Sequence, residues 1–131
     1  MRYSFIVLLT VLMAPALVNC QTQTKKSQLL APQDFEVKMT QVKNYTLLDV
    51  RTQEEYDKGH LADATLIDFY NSDFKKELSK LDKAKPVFVY CAVGGRSGST
   101  AKALIDMGFT EVYDLRGGIE SWVKAKKNVV K

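Results

Sequence analysis

Pro86-Val87-Phe88-Val89-Tyr90-Cys91-Ala92-Val93-Gly94-Gly95-Arg96-Ser97 is the stretch from which the rest of the chain falls into order. The apolar run after the proline reads as a short strand. Two glycines end it, and Ser97 to Met107 reads as a helix with Ala101, Leu104 and Ile105 on one side and Gly108 as its stop. Cys91 therefore stands where a strand turns into a helix.

Working outward, Tyr45-Thr46-Leu47-Leu48-Asp49-Val50 is a second apolar run and Glu111-Val112-Tyr113-Asp114-Leu115 alternates; both read as strands. Phe35, Met39 and Val42 fall at helical spacing, as do Phe74, Leu78 and Leu81. Strands alternating with helices predict an α/β fold: a parallel sheet with helices on both faces. Ligand sites in such sheets lie beyond the carboxyl ends of the strands, and Cys91 is at that position, presented at the turn rather than buried.

The chain has two cysteines, Cys20 and Cys91, and a single histidine, His60. Cys20 falls in a segment that reads as a leader, which leaves one thiol in the mature domain. A disulfide framework and a metal site built on thiolates or imidazoles are thereby excluded, and no metal is expected. Gly94 and Gly95 let the backbone bring successive N–H groups of Ala92, Val93, Gly94, Gly95, Arg96 and Ser97 round to one point. With the N-terminus of the next helix and the Arg96 guanidinium, they favour a thiolate at Cys91 and an anionic ligand beside it.

Cys91-Ala92-Val93-Gly94-Gly95-Arg96 resembles the active-site loop of the rhodanese family, Cys-x-x-Gly-x-Arg, in residues and in length. Asp49-Val50-Arg51-Thr52-Gln53-Glu54-Glu55-Tyr56 with Gly59-His60-Leu61 and Ala64 resembles the family's first signature, and Asp114 to Trp122 its last. The resemblance runs from about Leu47 to Trp122. It implies a sheet of about five strands and a sulfurtransferase, in which Cys91 takes a sulfane sulfur from a small anionic donor such as thiosulfate and yields it to a thiol or cyanide. No cofactor is implied beyond that covalent sulfur. Arg96 either positions the donor, the preferred role, or braces the loop through a carboxylate.

Two rivals are weighed against this. Phosphatases of the same fold resemble Cys-x₅-Arg; the four residues between Cys91 and Arg96 make a ring too small for phosphate. Some rhodanese-like domains are interaction modules that have lost the matching Cys; here it is present, which leaves a redox-sensing or binding module as the alternative. Asp49 and Arg51 read as a loop-bracing ion pair before a substrate contact, and His60 as the fastening of a turn before a general base. Phe69, Tyr70 and Phe109 either shape the rim of the site or pack.

The ends of the chain carry a different message. Arg2 followed by the apolar run Phe5 to Val18 reads as a signal peptide over residues 1–20, since the run covers only about two thirds of a hydrocarbon core. Leu17-Val18-Asn19-Cys20 is consistent with plain cleavage or with a lipoprotein box, so the domain is expected to be exported to the periplasm, free or lipid-anchored through Cys20, its one route to the membrane. Residues 21–27 read as a linker, the leading part of a stretch to Ala31 that starts polar and has no large side chain before Leu29, 28–125 as one domain, and 126–131 as a basic tail with few anchors. The sequence assigns no oligomeric state. The net charge of +4 comes from lysines interleaved with acids, which argues against nucleic acid as a partner.

Overall fold

The computed structural model describes residues 25–131. The expected leader, with Cys20 and the start of the linker, lies outside the described residues.

Five parallel strands form one sheet in the order β1-β5-β4-β2-β3: β1 Gln28–Leu30, β2 Thr46–Asp49, β3 Thr65–Leu66, β4 Val87–Tyr90 and β5 Val112–Leu115. The helices are α1 Pro32–Gln41, α2 Gln53–Lys58, α3 Phe74–Ser79, α4 Gly95–Asp106 and α5 Gly118–Lys124. β4 is the central strand, in register with β2 on one side (Leu48 opposite Val89) and β5 on the other (Val89 opposite Asp114). The α/β fold of about five parallel strands holds.

Because successive strand residues point to opposite faces, each central strand feeds two cores. Leu48, Val87, Val89, Cys91 and Val112 pack with Leu78 of α3 and Leu104 of α4. Leu47, Phe88, Tyr90, Tyr113 and Leu115 pack with Phe35 of α1 and Trp122 of α5. Burial on both faces explains why these strands read as continuous apolar runs. Each fully buried Val, Leu or Phe contributes roughly 1.5–3 kcal/mol, and all four residues of β4 are completely covered. The site stands at the end of that covered strand.

Three boundaries differ from the sequence reading. Gln28–Leu30, directly after the linker, is an edge strand beside β5; three mostly exposed residues offer no periodicity to read. Helix α4 begins at Gly95, two residues early, because Gly94 takes φ 112° and turns the chain directly into the helix. The tail is anchored: Val130 and His60 exchange two backbone hydrogen bonds, Asn128 O accepts from Trp122 Nε1 at 2.9 Å, and Lys127 pairs with Glu36. Those anchors are mainly backbone groups, which leave no trace in side-chain pattern.

Candidate functional site

The loop between β4 and α4 curls over the Cys91 sulfur. Gly94 N–H donates to Sγ at 3.1 Å, and Ser97 Oγ lies 3.5 Å from it. Cys91 is only 1% exposed. This corrects the expectation that the thiol is presented rather than buried: it belongs to the core under α4, and the turn folds back across it. Of the amides expected to converge from Ala92 through Ser97, Gly94 N–H is the one at hydrogen-bonding distance from the sulfur. Gly95, Arg96 and Ser97 form the first turn of α4, whose N–H groups lack helical partners by construction. Val93 stands at the outer edge, 61% exposed.

The underside of the loop rests on the start of α5. Ile119 N–H donates to Cys91 O at 2.8 Å and Glu120 N–H to Ala92 O at 3.2 Å. Gly118 makes this approach possible: it takes φ 61°, and a Cβ there would sit 2.3 Å from Ala92 O. Its neighbour Gly117 also has positive φ, 73°, and opens α5.

Arg96 is committed to a carboxylate. Its two terminal nitrogens meet Glu55 Oε2 at 2.8 Å and Oε1 at 2.7 Å, the bidentate arrangement that guanidinium and carboxylate favour. Glu55 is itself fixed by the capping box of α2, accepting from Thr52 N–H at 2.9 Å and Thr52 Oγ1 at 3.0 Å while Thr52 Oγ1 accepts from Glu55 N–H. The Arg96 hydrogen bond, aided by those from Thr52, holds the Glu55 carboxyl down at about 2. The brace therefore stays ionised over the whole neutral and mildly acidic range. The carboxylate that the bracing role for Arg96 needs is in place in this geometry. Tyr70, 70% exposed, lies against the outside of the same guanidinium, 5.6 Å from ring centre to Cζ. Phe109, by contrast, is core.

Asp49 and Arg51 form a closed unit under β2. Arg51 Nε and Nη2 bond both Asp49 oxygens at 2.7–3.0 Å, and Nη2 also donates to Gly59 O at 2.7 Å. Both side chains are buried. Tyr90 Oη accepts from Leu61 N–H at 3.0 Å, and burial, followed by Asp49, pushes its phenol far above the usual range. His60 stacks on Tyr56 with Nδ1 3.0 Å from Tyr56 O and joins the tail. Its contacts are those of a fastened turn. Among the described residues no group of three or more His, Cys, Asp and Glu side chains is placed to hold a metal ion.

One residue of the site was not singled out by sequence reasoning. Glu55 carried a usable signal, the Thr52-x-x-Glu55 capping box ahead of a helix.

Comparison with known proteins follows the same lines. The rhodanese-like domain family matches residues 31–125. A thiosulfate sulfurtransferase GlpE of Coxiella burnetii is 40% identical over 80 residues, 61% of this chain and 73% of that protein. A tRNA uridine(34) hydroxylase of Aster yellows witches'-broom phytoplasma is 33% identical over 126 residues, 88% of this chain but 41% of the hydroxylase. Among solved structures, a rhodanese-related protein from Thermoplasma volcanium superposes with a TM-score of 0.69 at 30% identity, covering 79% of this chain and 97% of that one.

Proposed function

Since the chain belongs to the rhodanese-like domain family, we propose that it is a sulfurtransferase that carries a sulfane sulfur as a persulfide on Cys91. The observation that carries this reading is the Gly94 N–H aimed at Sγ within a ring of four residues closed by Arg96. The relative named a thiosulfate sulfurtransferase supports thiosulfate as the donor class. The hydroxylase activity named for the longer relative is not carried over, since this chain spans less than half of it.

In the first step Cys91 thiolate attacks the outer sulfur of thiosulfate; the new Sγ–S bond forms as the donor's S–S bond breaks, and sulfite leaves with the electron pair. The outer sulfur then bears the negative charge, and the unpartnered N–H groups at the start of α4 stabilise it. In the second step cyanide or a thiolate attacks that sulfur, and Cys91 leaves as thiolate with Gly94 N–H still donating to it. No net oxidant or reductant is consumed. The Glu55–Arg96 brace and the Gly118 floor hold the ring open through both steps, a matter of preorganisation.

Turnover of thiosulfate with cyanide tests this. Parallel double-reciprocal lines, and a loss of at least about a thousandfold in Cys91→Ser, are expected of a covalent carrier. Intersecting lines, or a variant as active as wild type, would overturn it.

A further inference from the structure

Two exposed apolar side chains border the Cys91 loop. Val93 stands at its outer edge, between Ala92, whose carbonyl accepts from Glu120 N–H, and Gly94, whose N–H donates to Sγ. With both neighbours held, this stiff β-branched side chain faces solvent. Tyr70 lies over Arg96, the residue that closes the loop, with its ring centre 5.6 Å from Cζ. Although exposed, Tyr70 is fixed: its N–H donates to Asp68 Oδ1 at 2.9 Å, and its ring meets Phe69 edge-on at 5.6 Å, which packs in turn on buried Phe74 at 5.1 Å. Exposed apolar residues scattered singly need no explanation, but two at one loop do. The guanidinium beside them is already matched by both oxygens of Glu55, so the rim offers a charged group a neutral pair. Cys91 itself is almost completely covered, and an added sulfur extends it by only about 2 Å. A reacting partner must therefore enter by a slender end while the rest of it stays outside, against the rim.

We propose that Tyr70 and Val93 are specificity-determining residues of the site, and that its sulfur acceptor is a thiol bearing an apolar alkyl or aromatic group. The inference rests on Cys91 being the sulfur carrier of the proposed function. The acceptor thiolate attacks the outer sulfur of the Cys91 persulfide; the new S–S bond forms as the Sγ–S bond breaks, Cys91 leaves as thiolate with the electron pair, and the acceptor departs as a persulfide anion. No outside oxidant or reductant takes part. While the sulfur reacts, the apolar group of the acceptor lies on the Tyr70 ring and the Val93 methyls and leaves water. A fixed tyrosine suits this role, because it offers a large contact area at a small cost in side-chain entropy. A charged group on the acceptor gains nothing from the rim, since Arg96 already has its carboxylate. Cyanide, with no such group, reaches the sulfur without using the rim.

Reagent selectivity at Cys91 tests the rim without a sulfur donor. Alkylation rates with N-benzyl iodoacetamide and with iodoacetamide, which share the reacting carbon, are each divided by the rate for free cysteine at the same pH. Wild type is expected to favour the benzyl reagent by about tenfold, the effect of roughly 55 Å² of apolar surface leaving water. Tyr70→Ala and Val93→Ser should each lower that preference and together abolish it. Tyr70→Phe should keep it, as should Val37→Ser, an exposed valine on α1 that serves as the control. A general disturbance of the loop would slow or speed both reagents alike and leave their ratio unchanged. On protein loaded with sulfur from thiosulfate, benzyl mercaptan should remove the sulfur at lower concentration than 2-mercaptoethanol when the thiolate concentrations are matched. Equal rates for the two reagents, or a preference that survives in the Tyr70→Ala/Val93→Ser protein, would overturn the proposal while sulfur loading remains intact. Failure to load sulfur would remove the proposed function, and the acceptor with it, whatever the alkylation ratio.

Discussion

A Gly118→Ala protein is expected to lose the Cys91 loop. The added methyl would meet Ala92 O at 2.3 Å and Cys91 O at 2.4 Å, distances that no side-chain rotation relieves because both partners are backbone. The residue would also have to hold φ 61° with a Cβ, which costs on the order of 1–2 kcal/mol. Loop and helix must separate, breaking the hydrogen bonds from Ile119 and Glu120 N–H. A total of about 3 kcal/mol or more follows, a fall in Tm of more than about 10 °C for a domain of this size. Cys91, freed of its cover, should be alkylated faster while sulfur uptake collapses. Gly95→Ala is the control, since a Cβ there meets nothing within 4 Å. Equal melting of the two variants would show that the floor does not hold the loop.

Asp49→Asn is expected to be the second costly change. It leaves the Arg51 guanidinium buried beside a neutral amide, whose single oxygen and Gly59 O are the acceptors that remain. Removing one partner of a buried pair costs about 3–5 kcal/mol, whereas replacing both by apolar groups is often far milder. Urea unfolding of Asp49→Asn and of Asp49→Leu/Arg51→Met decides the matter, with the double variant expected to be the more stable. A single variant within about 1 kcal/mol of wild type would mean that the pair does not organise the end of β2.

How much of this was legible in the sequence depends on which groups carry the signal. The sheet was readable because β2, β4 and β5 are buried on both faces, and Cys91 was located by the strand that precedes it. The burial of its thiol was not readable, since it depends on Gly94 turning α4 back over Sγ. Arg96 was visible as a charge near the thiol, but its partner Glu55 lies 41 positions away, on the helix that follows the neighbouring strand β2. Backbone pairings, such as that of Val130 with His60, escape side-chain patterns altogether.

Sulfur loading of Cys91 itself is the most direct test of the account. Protein covering residues 21–131 is treated with thiosulfate and weighed intact, beside a Cys91→Ser control. The account predicts a gain of the mass of one sulfur atom in wild type, reversed by cyanide and absent from the control. A wild-type protein whose Cys91 alkylates readily but gains no sulfur would contradict it.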